Sequence, residues 1–230
     1  MNAGERHSQA LEAALITDPD EIARQEAQNG LRQFDLAVEQ IEYWLQPERK
    51  PYRLRPSHIM ALNRSALEKL NRYAGVYRPT EVEIHGSKHT PPGPHLVAQL
   101  VEELCDYVNA NGDRSAIHLA SYVMWRLNWV HPFVDGNGRT TRVTSFVVMC
   151  VRLGYRVPGS PTIPDLIAGN KTPYYEALEK ADIAHESGGV IDVSAMEKLL
   201  SSLLARQLTS VFRAAQANGH SAEPSSSVNP

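Results

Sequence analysis

Residues 131–142 read HPFVDGNGRTTR, and the stretch that follows, VTSFVVMCVRL at 143–153, is apolar on nearly every side. A helix that is hydrophobic all round but too short for a membrane belongs at the centre of a helical bundle. The entrance to this helix is unusual. Arg139 and Arg142 sit in its first turn, where the helix end already carries partial positive charge, so both cations stand against the local field. They are three residues apart and project from one side. The turn Gly136-Asn137-Gly138 leaves backbone N–H groups free to point outward as a nest. Together these features predict an anion at the helix entrance.

Outward from this stretch the chain is helical in both directions. Asp18 reads as an N-cap, with Pro19 at the first helical position and Glu21 closing a capping box, so a helix is predicted over 19–45. Its apolar positions Leu31, Phe34, Val38, Ile41 and Leu45 recur at threes and fours. A second helix opens near Pro56 and is expected to stop at Gly75. Further helices are predicted at about 94–110, 114–128, 138–153, 163–169, 173–185 and 192–214. Between Gly75 and Pro94 the texture changes: Thr80, Val82 and Ile84 alternate with polar residues, and His85-Gly86-Ser87 supplies a turn. That pattern predicts a short β-hairpin. An isolated hairpin is marginal in water, so its expected use is a flap over a groove. The fold class is therefore all-α, a bundle with one small β-hairpin flap.

Composition bounds the function. The chain has 230 residues, 42% of them hydrophobic, and a formal net charge of -3. That suffices for one domain with a sizeable core. A slightly acidic balance offers nucleic acid no global electrostatic attraction, so no nucleic acid partner is expected. No run approaches the roughly 20 apolar residues of a membrane span, and the first residues lack a secretory pattern. No membrane association is expected, and the cytoplasm is the simplest address. Cys105 and Cys150 lack metal-type spacing and read as buried small residues.

The remaining residues of 131–142 complete a chemical set. Asp135, just before the nest, is a hard oxygen ligand where a phosphate-bound Mg²⁺ would sit. His131 has a side chain suited to taking a proton near neutral pH. A base, a metal ligand and a polyphosphate clamp are the parts needed for nucleotide-dependent transfer to a hydroxyl.

The stretch resembles, without a mismatch, the signature of the Fic (Fic/Doc) family, His-Pro-Phe-x-Asp-Gly-Asn-Gly-Arg-x-x-Arg. GVYRPTEVEIHGSKHTPP (75–92) is similar to the family's flap, which aligns a target segment by strand addition. NKTPYYEAL (170–178) is similar to the family's Asn-x-x-x-Tyr-Tyr-x-x-Leu element beside the adenine. The resemblance implies a protein adenylyltransferase using ATP and Mg²⁺. His131 would deprotonate a Ser, Thr or Tyr hydroxyl of a target protein docked on the flap near residues 80–90. Asp135 would hold Mg²⁺; Gly136, Asn137 and Gly138 would cradle phosphates; Arg139 would grip the β and γ groups and Arg142 orient the γ phosphate. Asn170, Tyr174 and Tyr175 would lie near the base. Two readings stand beside this one: removal of AMP by the same site, and a non-enzymatic interaction module. A homodimer is left open.

The family also implies a regulatory element, Ser/Thr-x-x-x-Glu-Gly/Asn on an inhibitory helix, whose glutamate pairs with the second arginine of the signature. The helix at 19–45 is in the right place. Glu26 is the preferred candidate and Glu21 the alternative, although neither fits the full pattern. The expected organisation is an N-terminal helical segment over 1–50, the Fic domain over 51–214, and a disordered tail over 215–230.

Overall fold

The structure is a computed structural model and describes residues 14–220. Its elements are α1 (Pro19–Leu45), α2 (Pro56–Leu67), α3 (Val97–Ala110), α4 (Ala116–Val130), α5 (Asn137–Leu153), α6 (Ile163–Gly169), α7 (Thr172–Gly188) and α8 (Ser194–His220), with short 3₁₀ turns at Pro47–Arg49 and Pro94–Leu96. The all-α architecture expected from the sequence is what these elements form. Among the described residues no helix is long and apolar enough to cross a membrane. The expected tail begins inside α8, which continues to His220, and residues 221–230 of it lie outside the described residues.

The helix at 137–153 occupies the centre. Phe146, Val147, Val148, Met149 and Cys150 are buried on successive positions, so every side of α5 meets protein. α4 packs along it most extensively, and α1 and α2 cover another flank. The two polar residues facing α4 and the turn above are satisfied internally: Ser145 Oγ donates to Ala120 O at 2.8 Å and Thr144 Oγ1 to Thr140 O at 2.8 Å. Both cysteines are free and buried, and burial pushes their thiols up to about 12 for Cys105 and about 11 for Cys150.

α1 begins as its sequence predicts, with Asp18 Oδ1 accepting from Glu21 N at 2.8 Å. Its buried face agrees with the predicted one at Ile41, while Leu45 packs partly buried against the core, and differs toward the N-terminal half. Asn29, Gln33, Ala37 and Ile41 point inward, while Leu31 is 71% exposed and Phe34 38%. The reason lies at the end of α2. Asn29 Nδ2 donates to Ala66 O and Glu68 O at 3.2 and 2.8 Å, and Gln33 Nε2 donates to Leu62 O at 3.0 Å. Asn29 thus satisfies carbonyls at the C-terminus of α2 that have no intrahelical partner, and Gln33 adds a bond to the Leu62 carbonyl within the helix, so polar residues take the inward stripe. α2 stops at Leu67 and not at Gly75: Glu68 leaves helical geometry at ψ 130° and Lys69 takes a left-handed φ of 63°.

Residues 76–93 carry the segment expected to be a hairpin. It is an extended excursion with a turn, in which Ser87 N donates to Ile84 O at 3.0 Å, and no strand is assigned to it. Among the described residues the only β pairing is an isolated bridge between Ala14 and Asn71. Side chains hold the segment instead of a ladder: Val82 is buried, His89 Nε2 pairs with Trp129 O at 2.8 Å, and Arg78 is 2% exposed.

Candidate functional site

The loop between α4 and α5 is built by three side chains that use up the local backbone polarity. Asn137 is 3% exposed; its Oδ1 accepts from Phe133 N at 2.9 Å and its Nδ2 donates to Phe133 O at 2.8 Å. Asn63, from α2, donates to Asp135 O at 3.0 Å and to Thr140 Oγ1 at 3.2 Å, and accepts from Gly75 N at 2.9 Å. Phe133 is fully buried and pins the loop to the core. Gly136, with φ +73°, is the N-cap of α5. The left-handed conformation favours glycine, and a Cβ there would lie a tight 3.1 Å from Asn63 Nδ2 and 3.3 Å from Leu67 Cγ. The side chain of Asn137 is thus a loop clamp, and what this turn can offer an anion is main-chain N–H from Asn137, Gly138 and Arg139.

These residues open onto a cleft of about 460 Å³, within the range of small-ligand sites. Glu26, His131, Asp135, Gly136, Asn137, Gly138, Arg139, Arg142, Tyr174 and Tyr175 all line it, so the structure gathers ten of the predicted site residues around one space. Asn170 is not brought in: its side chain is exposed, and its main chain ends α6, donating to Ile167 O and Leu166 O. Lys171 lines the cleft in its place. The flap segment contributes Ile84, Ser87 and His89, and α7 adds Leu178 and Asp182 below the tyrosines.

His131 terminates α4 in the left-handed region at φ +49°, and its N–H donates to Leu127 O at 3.0 Å. A non-glycine residue seldom sits there. The side chain is 7% exposed, and neither Nδ1 nor Nε2 has a hydrogen-bond partner. Burial holds its pKa down to about 3; the Asn128 carbonyl opposes this, and the positive charge of Arg78 and the ring of His89 add to it. The imidazole is neutral at pH 7, which leaves a nitrogen lone pair free to accept a proton. Burial makes it a weaker base than an ordinary histidine until a neighbouring negative charge raises its pKa.

The charges at the helix entrance are arranged as follows. Asp135 Oδ1 accepts from Gly136 N at 2.6 Å, and Oδ2 lies 3.8 Å from Arg139 Nη2. Arg139 Nη1 is 3.1 Å from Glu26 Oε1 on α1. The regulatory glutamate expected on this helix therefore reaches the first arginine and not the second. Glu21 sits in the first turn of α1 and does not line the cleft. Among the described residues no ion pair joins a carboxylate to Arg142. Burial lowers its pKa from the usual value, while Tyr174 and Tyr175 beside it act the other way. Arg142 is half-buried, and the more distant carboxylate of Asp165 offsets only part of its desolvation, so a bound anion would relieve the cost that remains.

Arg78 was not singled out by sequence reasoning, although it lies in the quoted GVYRPTE stretch. The signal available was an arginine in an otherwise flap-like run, which reads as a solvated charge. Asn63 was missed for a similar reason, as one polar residue in a helical pattern.

Sequence comparison adds a family. The Fic/DOC family model matches residues 53–149. A Drosophila mojavensis protein named protein adenylyltransferase Fic is 30% identical over 175 residues, which is 75% of this chain and 32% of that protein. The Drosophila persimilis protein of the same name is 29% identical with the same coverage. The chain thus spans about a third of the length of these curated relatives. Among solved structures, a Fic domain containing signaling protein from Bacteroides thetaiotaomicron matches with a TM-score of 0.64 at 24% identity, covering 82% of this chain and 73% of that one. A Fic family protein from Desulfovibrio desulfuricans matches at 0.59 and 18% identity, covering 88% and 56%. The shared fold is what these structures establish.

Proposed function

We propose, on the match of residues 53–149 to the Fic/DOC family model, that this chain is a protein adenylyltransferase moving AMP from ATP to a hydroxyl of a target protein. The observation that carries the reading is the neutral, unpartnered imidazole of His131 in one cleft with Arg139, Arg142 and the free N–H groups of α5. The cleft combines a base with an anion site, as transfer from a polyphosphate requires.

His131 accepts the proton of a Ser, Thr or Tyr hydroxyl as its oxygen bonds to the α phosphorus. The bond from that phosphorus to the bridging oxygen breaks, and pyrophosphate departs with the electron pair. The N–H groups of Asn137, Gly138 and Arg139 at the start of α5 face the negative charge that develops. Arg139 and Arg142 hold the departing phosphates by charge-assisted hydrogen bonds. Among the described residues no cluster of three metal-ligating side chains exists. A single carboxylate plus substrate phosphates is a normal Mg²⁺ environment, and Asp135, with its side chain 43% exposed at the mouth, fits that role. Mg²⁺ there supplies neutralisation of charge on the phosphate oxygens. Tyr174 and Tyr175 give the base an apolar wall. The target segment docks along 80–90, whose extended stretch has no ladder partner among the described residues and is suited to strand addition.

Self-inhibition is part of the proposal. Glu26 occupies Arg139 Nη1, a position that a phosphate would need. The pair is partly exposed, so it is weak, typically below about 1 kcal/mol. A triphosphate can compete with it, and Glu26 acts as a brake on nucleotide binding.

Incubation with ATP labelled at the α or γ position, in the presence of a lysate and Mg²⁺, tests the reading. The α label is expected on protein. Transfer of the γ label alone would mean a kinase and end the proposal.

A further inference from the structure

The guanidinium of Arg78 is buried, 2% exposed, and no carboxylate is hydrogen-bonded to it. Every acceptor is a main-chain carbonyl. Nε donates to His131 O at 2.8 Å and Nη1 to Thr80 O at 3.0 Å. Nη2 donates to Pro92 O and more weakly to Val130 O at 3.5 Å. The backbone N–H of Arg78 donates to Pro132 O at 2.9 Å.

These acceptors fall into two groups with different roles. Thr80 and Pro92 are the two ends of the flap segment, twelve residues apart in sequence. Val130, His131 and Pro132 are the end of α4 and the start of the loop that holds the base. The carbonyls of Val130 and His131 are among those a helix C-terminus leaves without intrahelical partners, and a cation there also faces the negative end of the helix dipole. Arg78 is therefore a C-terminal cap for α4 brought from a distant part of the chain, and the same planar group closes the base of the flap. It does not line the cleft.

We propose that Arg78 is a positioning residue, one fork that locks the main chain of His131 and both ends of the 80–92 segment into a single unit. The inference rests on the adenylyltransferase reading. Three features support it. The left-handed backbone of His131 is a conformation that needs surrounding structure to hold it. The flap segment lacks a β ladder, so side-chain anchors set its place. The four carbonyls receive donors from one rigid plane, a geometry that the tetrahedral ammonium of lysine does not reproduce. The base and the surface that presents the acceptor are thereby fixed relative to each other. Neither contact touches nucleotide.

The consequence is a division between binding and turnover. Arg78→Lys keeps the charge and loses the fork; Arg78→Gln loses the charge and keeps part of the donor set. Misplacement of a reacting group by about 1 Å can cost about 100-fold in rate. In the full chain, both variants are expected to lower kcat for transfer of α-labelled AMP by about 10- to 100-fold, with KM for Mg-ATP changed by less than about twofold. Lysine is not expected to rescue. Wild-type kcat in Arg78→Lys, or a loss that appears only in KM for ATP, overturns the proposal.

Native-state hydrogen exchange on the same proteins provides a readout that does not depend on activity. Amides of 80–92 and of 130–134 are expected to lose protection together in Arg78→Lys, while those of α8 keep theirs. Loosening of only one of the two segments, or an equal loss across the fold, overturns the coupling. If the wild type transfers no AMP, the adenylyltransferase reading fails and the exchange result still decides whether Arg78 joins the two segments.

Discussion

The carboxylate of Glu26 lies 3.1 Å from Nη1 of Arg139, joining α1 to the first turn of α5 across 113 positions of sequence. The contact puts a side chain from outside the matched family region, residues 53–149, onto Arg139 at the entrance to α5. Glu26→Ala is expected to raise self-labelling from α-labelled ATP by about two- to fivefold, in line with a partly exposed ion pair worth less than about 1 kcal/mol. Glu21→Ala, on the first turn of the same helix, is expected to match wild type. Equal activity of Glu26→Ala and wild type would remove the brake from the proposal.

His131 stands in the cleft without hydrogen-bond partners, and its removal deletes the base while sparing the phosphate contacts. His131→Ala is expected to lower transfer by about 10²–10⁴-fold. Calorimetry is expected to show Mg-ATP affinity close to wild type. A variant that loses affinity and rate in proportion would show that His131 binds nucleotide and is not the base.

The same histidine makes stability sensitive to acid. Its folded pKa is held at about 3 by burial, below the unfolded value of 6.5. Between these two values the unfolded chain binds the extra proton, so stability falls as pH drops through that window and is fully retained above it. The contribution is about 2 kcal/mol between pH 7 and pH 5, at about 1.4 kcal/mol per pH unit below 6.5. Urea midpoints at the two pH values are expected to move further apart in wild type than in His131→Ala. Parallel shifts would place His131 in water.

Asn137 closes the loop by two hydrogen bonds to the main chain of Phe133. Asn137→Ala leaves both buried groups unsatisfied, at about 1–3 kcal/mol each. Thermal denaturation is expected to show a clearly lower Tm, together with weakened nucleotide binding, because the nest depends on the loop it closes. Asn137→Asp, which keeps the acceptor and loses the donor, is expected to fall between. A variant with wild-type Tm would show that the loop is held by Phe133 and Asn63 alone.

The helices were legible in the sequence because their signals are local. Asp18 and Pro19 start α1, Gly154 follows the last residue of α5, and the apolar run at 143–153 marks the centre of the bundle. The place of the cleft was legible because its candidate residues are compressed into 131–142, and the structure gathers His131, Asp135, Arg139 and Arg142 around one space. The features that escaped depend on distant partners. The inward face of α1 is polar because Asn29 and Gln33 meet carbonyls of α2 more than 25 positions away, and periodicity of apolar residues cannot show that. The flap is an extended segment without a ladder because Arg78 and His89 hold it by contacts at 53 and 40 positions' separation. Asn170 matched a local pattern, but the end of α6 turns its side chain to solvent, and Lys171 faces the cleft.

The central claim is that this cleft transfers AMP through His131. Its most direct measurement is intact mass of the full chain and of a labelled target band after incubation with Mg-ATP, run in parallel for Glu26→Ala and for Glu26→Ala combined with His131→Ala. The account predicts protein carrying the mass of one AMP, with release of pyrophosphate, in the single variant and its absence in the double variant. Addition of a phosphate mass, or an AMP adduct that persists undiminished without His131, would contradict it.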